Sequence, residues 1–555
     1  MNPTSIRRKL GLNPLPESLG CTESMADPDA RDGDPKELVL CFDGTGYKFT
    51  GDESDSNVLK VYRMLDHRDA RRYHYFQPGF GTLVSSTWMS NSGQTNKARS
   101  VFLKAKDAAI GTTFAQHVMG GYTFLMRYYS PGDRVFFFGF SRGAYVARFL
   151  AEMLDTVGLI KRGNEDLVRF AWMTFSKWQR AHNKRDADPA QNERLYEYIK
   201  AFRETFTCPI SPIYFLGLFD TVNSTPALEG TWMQRSKLAR CSAKIIRHAV
   251  GIDERRARFR HDLISDSGRT AVSWRARTRQ RLERHHIRLP RQRGLRFYYE
   301  DKGGRGTSTD SHQAPPLPQL PEPYERPSAQ PENLCEERSD GWQDIEEVWF
   351  PGCHADIGGG FKLSKDEEME LSHVPLVWMV HEAQRAGLKF DQERLKKFNC
   401  CEDYCEDEEN QNGDEKGGNT MRLEDGMRIA AERGHIHDCL EYGKGVPWPV
   451  VLSWRVLEYL PFRRMNLQQD GSWKPVRFPL PLGEVRDIPK GSKIHVSAVR
   501  RMMSDPSYRP GNLIEGGGGR GKRKVPPERG IGEWGVADHA GSPVRETYRR
   551  REAPE

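Results

Sequence analysis

Gly139-Phe140-Ser141-Arg142-Gly143 sets a serine between two glycines, directly after Val135-Phe136-Phe137-Phe138 and directly before Ala144-Tyr145-Val146-Ala147-Arg148-Phe149-Leu150. The apolar run, opened by Pro131-Gly132, reads as a strand buried on both faces. The stretch after it holds no Gly or Pro from Ala144 to Val157, and Val146, Leu150, Met153, Leu154 and Val157 recur at helical spacing. A strand turning into a helix at Gly-x-Ser-x-Gly is a nucleophile elbow. Its glycines remove side chains that would collide in the bend, and the serine Oγ stands above the sheet. The helix start directs N–H groups and a partial positive charge at any anion formed there. The five residues alone would fit any Gly-rich turn; the flanking strand and helix carry the reading.

A serine hydroxyl needs a base, usually a histidine held by a carboxylate, and in doubly wound hydrolases the order is Ser, acid, His. Asp220 follows the apolar run Ile213 to Phe219, and His354 follows Val348-Trp349-Phe350. Both are therefore expected at the carboxyl edge of the sheet, where such folds build their sites. His354 lies between Gly352 and Gly358-Gly359-Gly360, which reads as a flexible loop able to carry an imidazole over Ser141. Asp356 is the rival acid; two residues from His354, it is better placed to shape that loop. For the oxyanion, the Arg142 N–H supplies one donor and Gly44 or Thr45 the second, with Gly44 favoured because glycine lets backbone approach substrate. Asp43 would organise this loop. Asp43-Gly44-Thr45 also resembles the opening of haloacid dehalogenase phosphatases, but Cys41 stands where their nucleophilic aspartate belongs, which argues against that chemistry.

These residues need a sheet to hold them. Glu37 to Phe42, Tyr73 to Gln77, Val135 to Phe138, Ile213 to Phe219 and Val348 to Phe350 read as strands. Asn57 to Leu65, Thr113 to Tyr129, Leu167 to Trp178, Arg194 to Phe206 and Leu371 to Ala386 read as helices. The alternation predicts an α/β fold: a hydrolase-like, doubly wound, mostly parallel sheet with helices on both faces. The expected organisation is a disordered segment over 1–35, a catalytic domain over 36–395 with an Arg/Pro-rich insertion at about 260–341, an acidic loop-rich segment over 396–445, a segment over 446–513 packing on the core, and a disordered tail over 514–555.

The chain has 555 residues, a formal net charge of +8 and only 37% hydrophobic residues, so polar insertions are expected around one large folded unit. No run reaches the ~18 apolar residues of a membrane span, and the first thirty residues lack the apolar core of a signal peptide. An intracellular, cytoplasmic protein is the expectation. Ten cysteines without a spaced framework point to reduced thiols. Cys400, Cys401, Cys405, His435, His437 and Cys439 match no familiar zinc spacing, so neither metal nor cofactor is expected. The arginine-dense stretch 255–296 allows peripheral membrane contact; nucleic acid is not an expected partner. Pro315 to Pro321 reads as an extended linker before an SH3-type ligand.

Taken together, Cys41 to Thr45, Pro78 to Thr82, Gly139 to Tyr145, Gly217 to Val222, Ile252-Asp253-Glu254-Arg255-Arg256 and Trp349 to Gly360 resemble the catalytic domain of type VI secretion phospholipase effectors. The match runs in order over about Lys36 to Phe390. It implies a serine esterase that cleaves acyl esters of glycerophospholipids, with Ser141 as nucleophile and His354 as base; position assigns the acid to Asp220. It also implies that Asp253 and the nearby arginines buttress the site or the fold. The long insertion, together with Trp454 to Pro461 and Ile494 to Val499, is similar to eukaryotic, especially fungal, members. His495 in the last segment is a reserve candidate for the base. The rival to a lipid or small-ester hydrolase is a non-catalytic scaffold that binds membranes or partners through the basic and proline-rich insertion.

Overall fold

The computed structural model describes residues 35–45, 49–79, 113–182, 189–208, 210–222, 243–264, 343–401, 422–462, 464–468, 473–514 and 530–551. These fall in one compact unit assembled from Met1–Gly268 and Gln343–Glu555. Most of the arginine-rich stretch, the proline run, the acidic run 402–415 and Cys405 lie outside the described residues.

Nine strands form the central sheet. In chain order they are β1 (Glu37–Phe42), β2 (Arg72–Gln77), β3 (Arg134–Phe140), β4 (Phe215–Phe219), β5 (Ile245–Gly251), β6 (Asp344–Phe350), β7 (Lys493–His495), β8 (Trp534–Asp538) and β9 (Thr547–Arg550). Their spatial order is β8-β9-β7-β6-β5-β4-β3-β1-β2. From β2 to β7 every neighbour is parallel, and β9 and β8 close that edge antiparallel.

Both faces are covered, and the two-residue period of the strands sorts the side chains. Leu38, Leu40, Phe42 and Phe137 enter a core with Phe114 and Val118 of α2 (113–128) and Val146 and Leu150 of α3 (Arg142–Val157). Val39, Cys41, Phe136, Phe138 and Phe140 enter the opposite core with Val58 and Val61 of α1 (Asn57–Met64) and Val377 and Trp378 of α7 (His373–Arg385). The fold is α/β, with a doubly wound, mostly parallel sheet.

Four elements depart from the sequence expectations. β5 was missed because Arg247 and His248 interrupt its apolar run; each finds a carboxylate, on Glu382 and Glu347. Within the segment expected to be loop-rich, Leu423–Arg433 is a helix (α9) that buries Leu423, Met427, Ala430 and Ala431 at helical spacing. The expected disordered tail instead supplies β8 and β9. At four to five residues, set among Gly and Arg, they are too short to signal alone and exist because β7 offers them an edge.

Candidate active site

Ser141, Asp220, the Ile252 to Arg256 motif and His354 follow the carboxyl ends of β3, β4, β5 and β6, which stand side by side. Ser141 caps α3 with φ 58° and ψ −122°, a conformation that costs a non-glycine residue about 1–3 kcal/mol. Two backbone clashes waiting to happen explain the glycines. A Cβ on Gly143 would lie 2.1 Å from the Phe42 carbonyl oxygen, and one on Gly139 would lie 2.5 Å from Ala144 Cα. The strained turn is pinned by the Ser141 N–H donating to the Phe219 carbonyl at 3.0 Å. Ser141 is 3% exposed, and among the described residues its Oγ takes no hydrogen bond.

Asp220 ends β4 with φ 40° and is fully buried. Its Oδ2 lies 2.5 Å from His354 Nδ1. A carboxylate only accepts, so Nδ1 carries the proton and Nε2 presents a lone pair. His354 was expected on a flexible loop. It is instead the first residue of a short helix, α6 (His354–Gly358), whose capping box joins Cys353 and Asp356. Phe140 and Phe259 hold the imidazole between them, with ring centroids at 4.8 and 4.7 Å. Burial pushes the imidazole below its ordinary range, and the Asp220 bond and charge offset this only in part.

The residue that sequence reasoning missed is Arg486. Its Nη1 donates to Asp220 Oδ1 at 2.6 Å and its Nη2 to Oδ2 at 2.8 Å, with both side chains fully buried. The same guanidinium donates to the Gly251 and Phe259 carbonyls. Burial would raise the Asp220 carboxyl, but the Arg486 charge and fork, with the His354 bond, outweigh it and hold it far below the ordinary carboxylate range. No motif marks Arg486, which lies 266 residues from Asp220 in the chain.

The Ile252 to Arg256 motif surrounds the histidine turn. Glu254 accepts the His354 backbone N–H at 3.1 Å and pairs with Arg256 at 2.8 Å. Burial raises the Glu254 carboxyl, yet Arg256 overrides it and brings it down to about 2. Asp253 Oδ2 accepts from the Gly352 N–H at 2.7 Å and from the Tyr508 hydroxyl at 2.9 Å; burial pushes its carboxyl up to about 6.

Other candidates sit elsewhere. Asp356 turns from His354 to His437, bonding its Nδ1 at 2.7 Å and its N–H at 3.0 Å. His495 is buried as the cap of α11 (Val496–Ser504), bonded to Ser497 and to the Val544 carbonyl and stacked on Phe350. Gly44 lies in the loop against the elbow, but its N–H donates to Asp43 Oδ1 at 2.6 Å, so that donor is occupied. The Asp43 carboxyl is pushed up to about 6 by burial, against its bonds from Ser56 and Gly44. Thr45 beside it buries an Oγ1 with no partner among the described residues. Of the cysteine and histidine group, Cys400 is buried in the core and His437 serves Asp356. Among the described residues no three metal-ligating side chains gather, and no helix is long and apolar enough to cross a membrane.

Several known proteins are similar to this chain. The uncharacterized protein YEL023C of Saccharomyces cerevisiae is 27% identical over 574 residues, covering 88% of this chain and 82% of the yeast protein. A crystal structure of an uncharacterized protein from Pseudomonas aeruginosa aligns at 19% identity over 64% of this chain and 46% of that one, with a TM-score of 0.28. The chain thus spans about half the length of that protein. A structure of the Tle1 effector bound to the VgrG spike of the type 6 secretion system aligns at 13% identity, over 64% of this chain and 74% of that one, with a TM-score of 0.28. Residues 36–382 match the family described as the type VI secretion system phospholipase effector Tle1-like catalytic domain, and the chain belongs to that family.

Proposed function

We propose that the protein is a serine carboxylic-ester hydrolase that cleaves the acyl esters of glycerophospholipids through an acyl-enzyme. The observation that carries this reading is the His354–Asp220 pair, 2.5 Å apart and buried, on the same sheet edge as a serine held at φ 58°. Membership of a phospholipase-effector family supports the substrate class.

In this mechanism Ser141 Oγ attacks the ester carbonyl carbon while His354 Nε2 takes its proton. Because Oγ has no such bond here, the imidazole closes on it as substrate enters. Asp220 stabilises the imidazolium and keeps its orientation. The oxyanion is held by the Arg142 N–H at the start of α3, with Thr45 as the second donor, since the Gly44 N–H is engaged by Asp43. Collapse breaks the ester bond, and His354 returns its proton to the leaving alcohol. Water, deprotonated by His354, then attacks the acyl-serine, releasing the fatty acid and restoring Ser141.

The test is active-site labelling. A fluorophosphonate should modify Ser141 alone, and Ser141→Ala, shown folded by circular dichroism, should neither label nor turn over acyl esters. Labelling at another residue, or full turnover by Ser141→Ala, would sink the proposal.

A further inference from the structure

Helix α10 (Trp448–Leu457) has the sequence WPVVLSWRVL, yet Val451 is its one buried residue. A helix apolar on nearly every face normally lies inside a protein, so an exposed one marks a contact with something else. Trp448 is 67% exposed and Val456 59%, and the chain beyond continues the pattern with Tyr459 at 67% and Phe478 at 70%. Tyr442, Arg455, Tyr459 and Leu482 line one shallow groove, which ties the helix to the turn after it and to the 482 loop.

Cations predominate in the stretch that carries this face, although the half-buried Glu441 also lines the groove. Between Tyr442 and Leu482 the exposed charged residues, among those described, are Lys444, Arg455, Lys474 and Arg477; the acid of this stretch, Glu458, is buried. None of the four has a carboxylate partner among the described residues. Exposed apolar aromatics in a stretch with unpaired cations suit an element that lies in the interface of an anionic bilayer, with tryptophan and tyrosine at headgroup depth and cations against phosphate. The face also adjoins the candidate site. Trp454 packs on Phe259 at 5.4 Å, and Phe259 packs on His354.

We infer that α10 and the turn that follows it dock the protein onto an anionic phospholipid surface and so bring lipid to the neighbouring site. The inference rests on the proposed lipid esterase but is tested separately from it.

The full chain and a Trp448→Ser/Val456→Ser/Tyr459→Ser variant are floated with vesicles of phosphatidylcholine, alone or mixed with phosphatidylserine. In parallel, both are assayed on a short-chain monomeric ester and sized by sedimentation velocity. Each aromatic withdrawn from the interface should lower partitioning roughly tenfold, so the variant should bind mixed vesicles at least ~100-fold more weakly. Its turnover of the monomeric ester should stay within about twofold of the parent, because these side chains point away from the core. A Lys444→Glu/Lys474→Glu/Arg477→Glu variant should lose roughly fivefold per charge on mixed vesicles and little on phosphatidylcholine. A parent that ignores both vesicles, or a serine variant that binds as the parent does, overturns the inference. So does a parent dimer that the variant converts to monomer, since a second copy would then cover the face. Absence of ester turnover in every protein would remove the esterase reading while the vesicle result still decides this one.

Discussion

Replacing Arg486 by methionine removes the guanidinium and keeps comparable volume, isolating what the fork does to Asp220. Arg486 makes two charge-assisted bonds to that carboxylate, at 2.6 and 2.8 Å, and two more to the Gly251 and Phe259 carbonyls. The loss leaves Asp220 with the Gly251 N–H at 3.0 Å and His354. Two charge-assisted bonds contribute about 3–6 kcal/mol, and leaving one buried charge of a pair unmatched costs about 3–5 kcal/mol; the two routes agree. The stability difference should have a defined pH window. Asp220 is depressed in the fold, so the stability it contributes is present above its unfolded pKa and fades as pH falls below about 4. Catalysis should report the positioning role directly. With the cation gone, Asp220 favours the imidazolium more strongly, and the acid limb of kcat/KM should move up by about 1 pH unit. Arg486→Lys keeps the charge but not the fork and should recover part of the pH shift and less of the stability. Urea unfolding at several pH values and a kcat/KM–pH profile on a soluble ester check this. An Arg486→Met protein within ~1 kcal/mol of the parent, with an unmoved acid limb, would refute the reasoning.

Other expectations follow from the same geometry. In the parent, burial lowers His354, and a base works when deprotonated, so the acid limb of kcat/KM should fall at a pH below 6.5. Asp220→Asn should lower kcat by about 10⁴-fold, as loss of the orienting acid does, whereas Asp356→Asn should chiefly destabilise, because its partner is His437; ester kinetics and thermal melts separate the two. His437 is raised by Asp356 against its burial, so the stability it contributes is complete below pH 6.5 and should be lost as pH rises through the raised value. The slope should vanish in His437→Ala, read by chemical unfolding from pH 5 to 9. Ser141→Gly relieves a positive φ and should unfold about 1 kcal/mol later than the parent while losing ester turnover.

The turn at Ser141 was legible in the chain because everything that makes an elbow is local. Strand, two glycines, serine and helix occupy consecutive residues, and the glycine requirement follows from contacts with Phe42 and Ala144 beside them. Asp220 and His354 could be nominated because each directly follows an apolar run, and strand ends converge in a parallel sheet whatever the loops do. The alternation of strands and helices announced the doubly wound sheet for the same reason: period and length are properties of short stretches. Conversely, β5 escaped notice because its Arg247 and His248 are acceptable only beside Glu382 and Glu347, which lie far away in sequence.

Residue pairing belonged to the tertiary structure. Whether Asp220 or Asp356 would face His354 depended on His437, which draws Asp356 away, and on Arg486, which fixes Asp220 from a segment beyond the family match. The engagement of Gly44 by Asp43, and the exposure of an apolar helix beside the histidine, likewise follow from side-chain directions and packing. Sequence carries residue type, spacing and periodicity, and these determined the fold class and the elbow at Ser141. Hydrogen bonds and charge compensation act through space over a few ångströms, so only the folded chain could decide which acid faces His354, which arginine holds that acid and which apolar helix stays exposed.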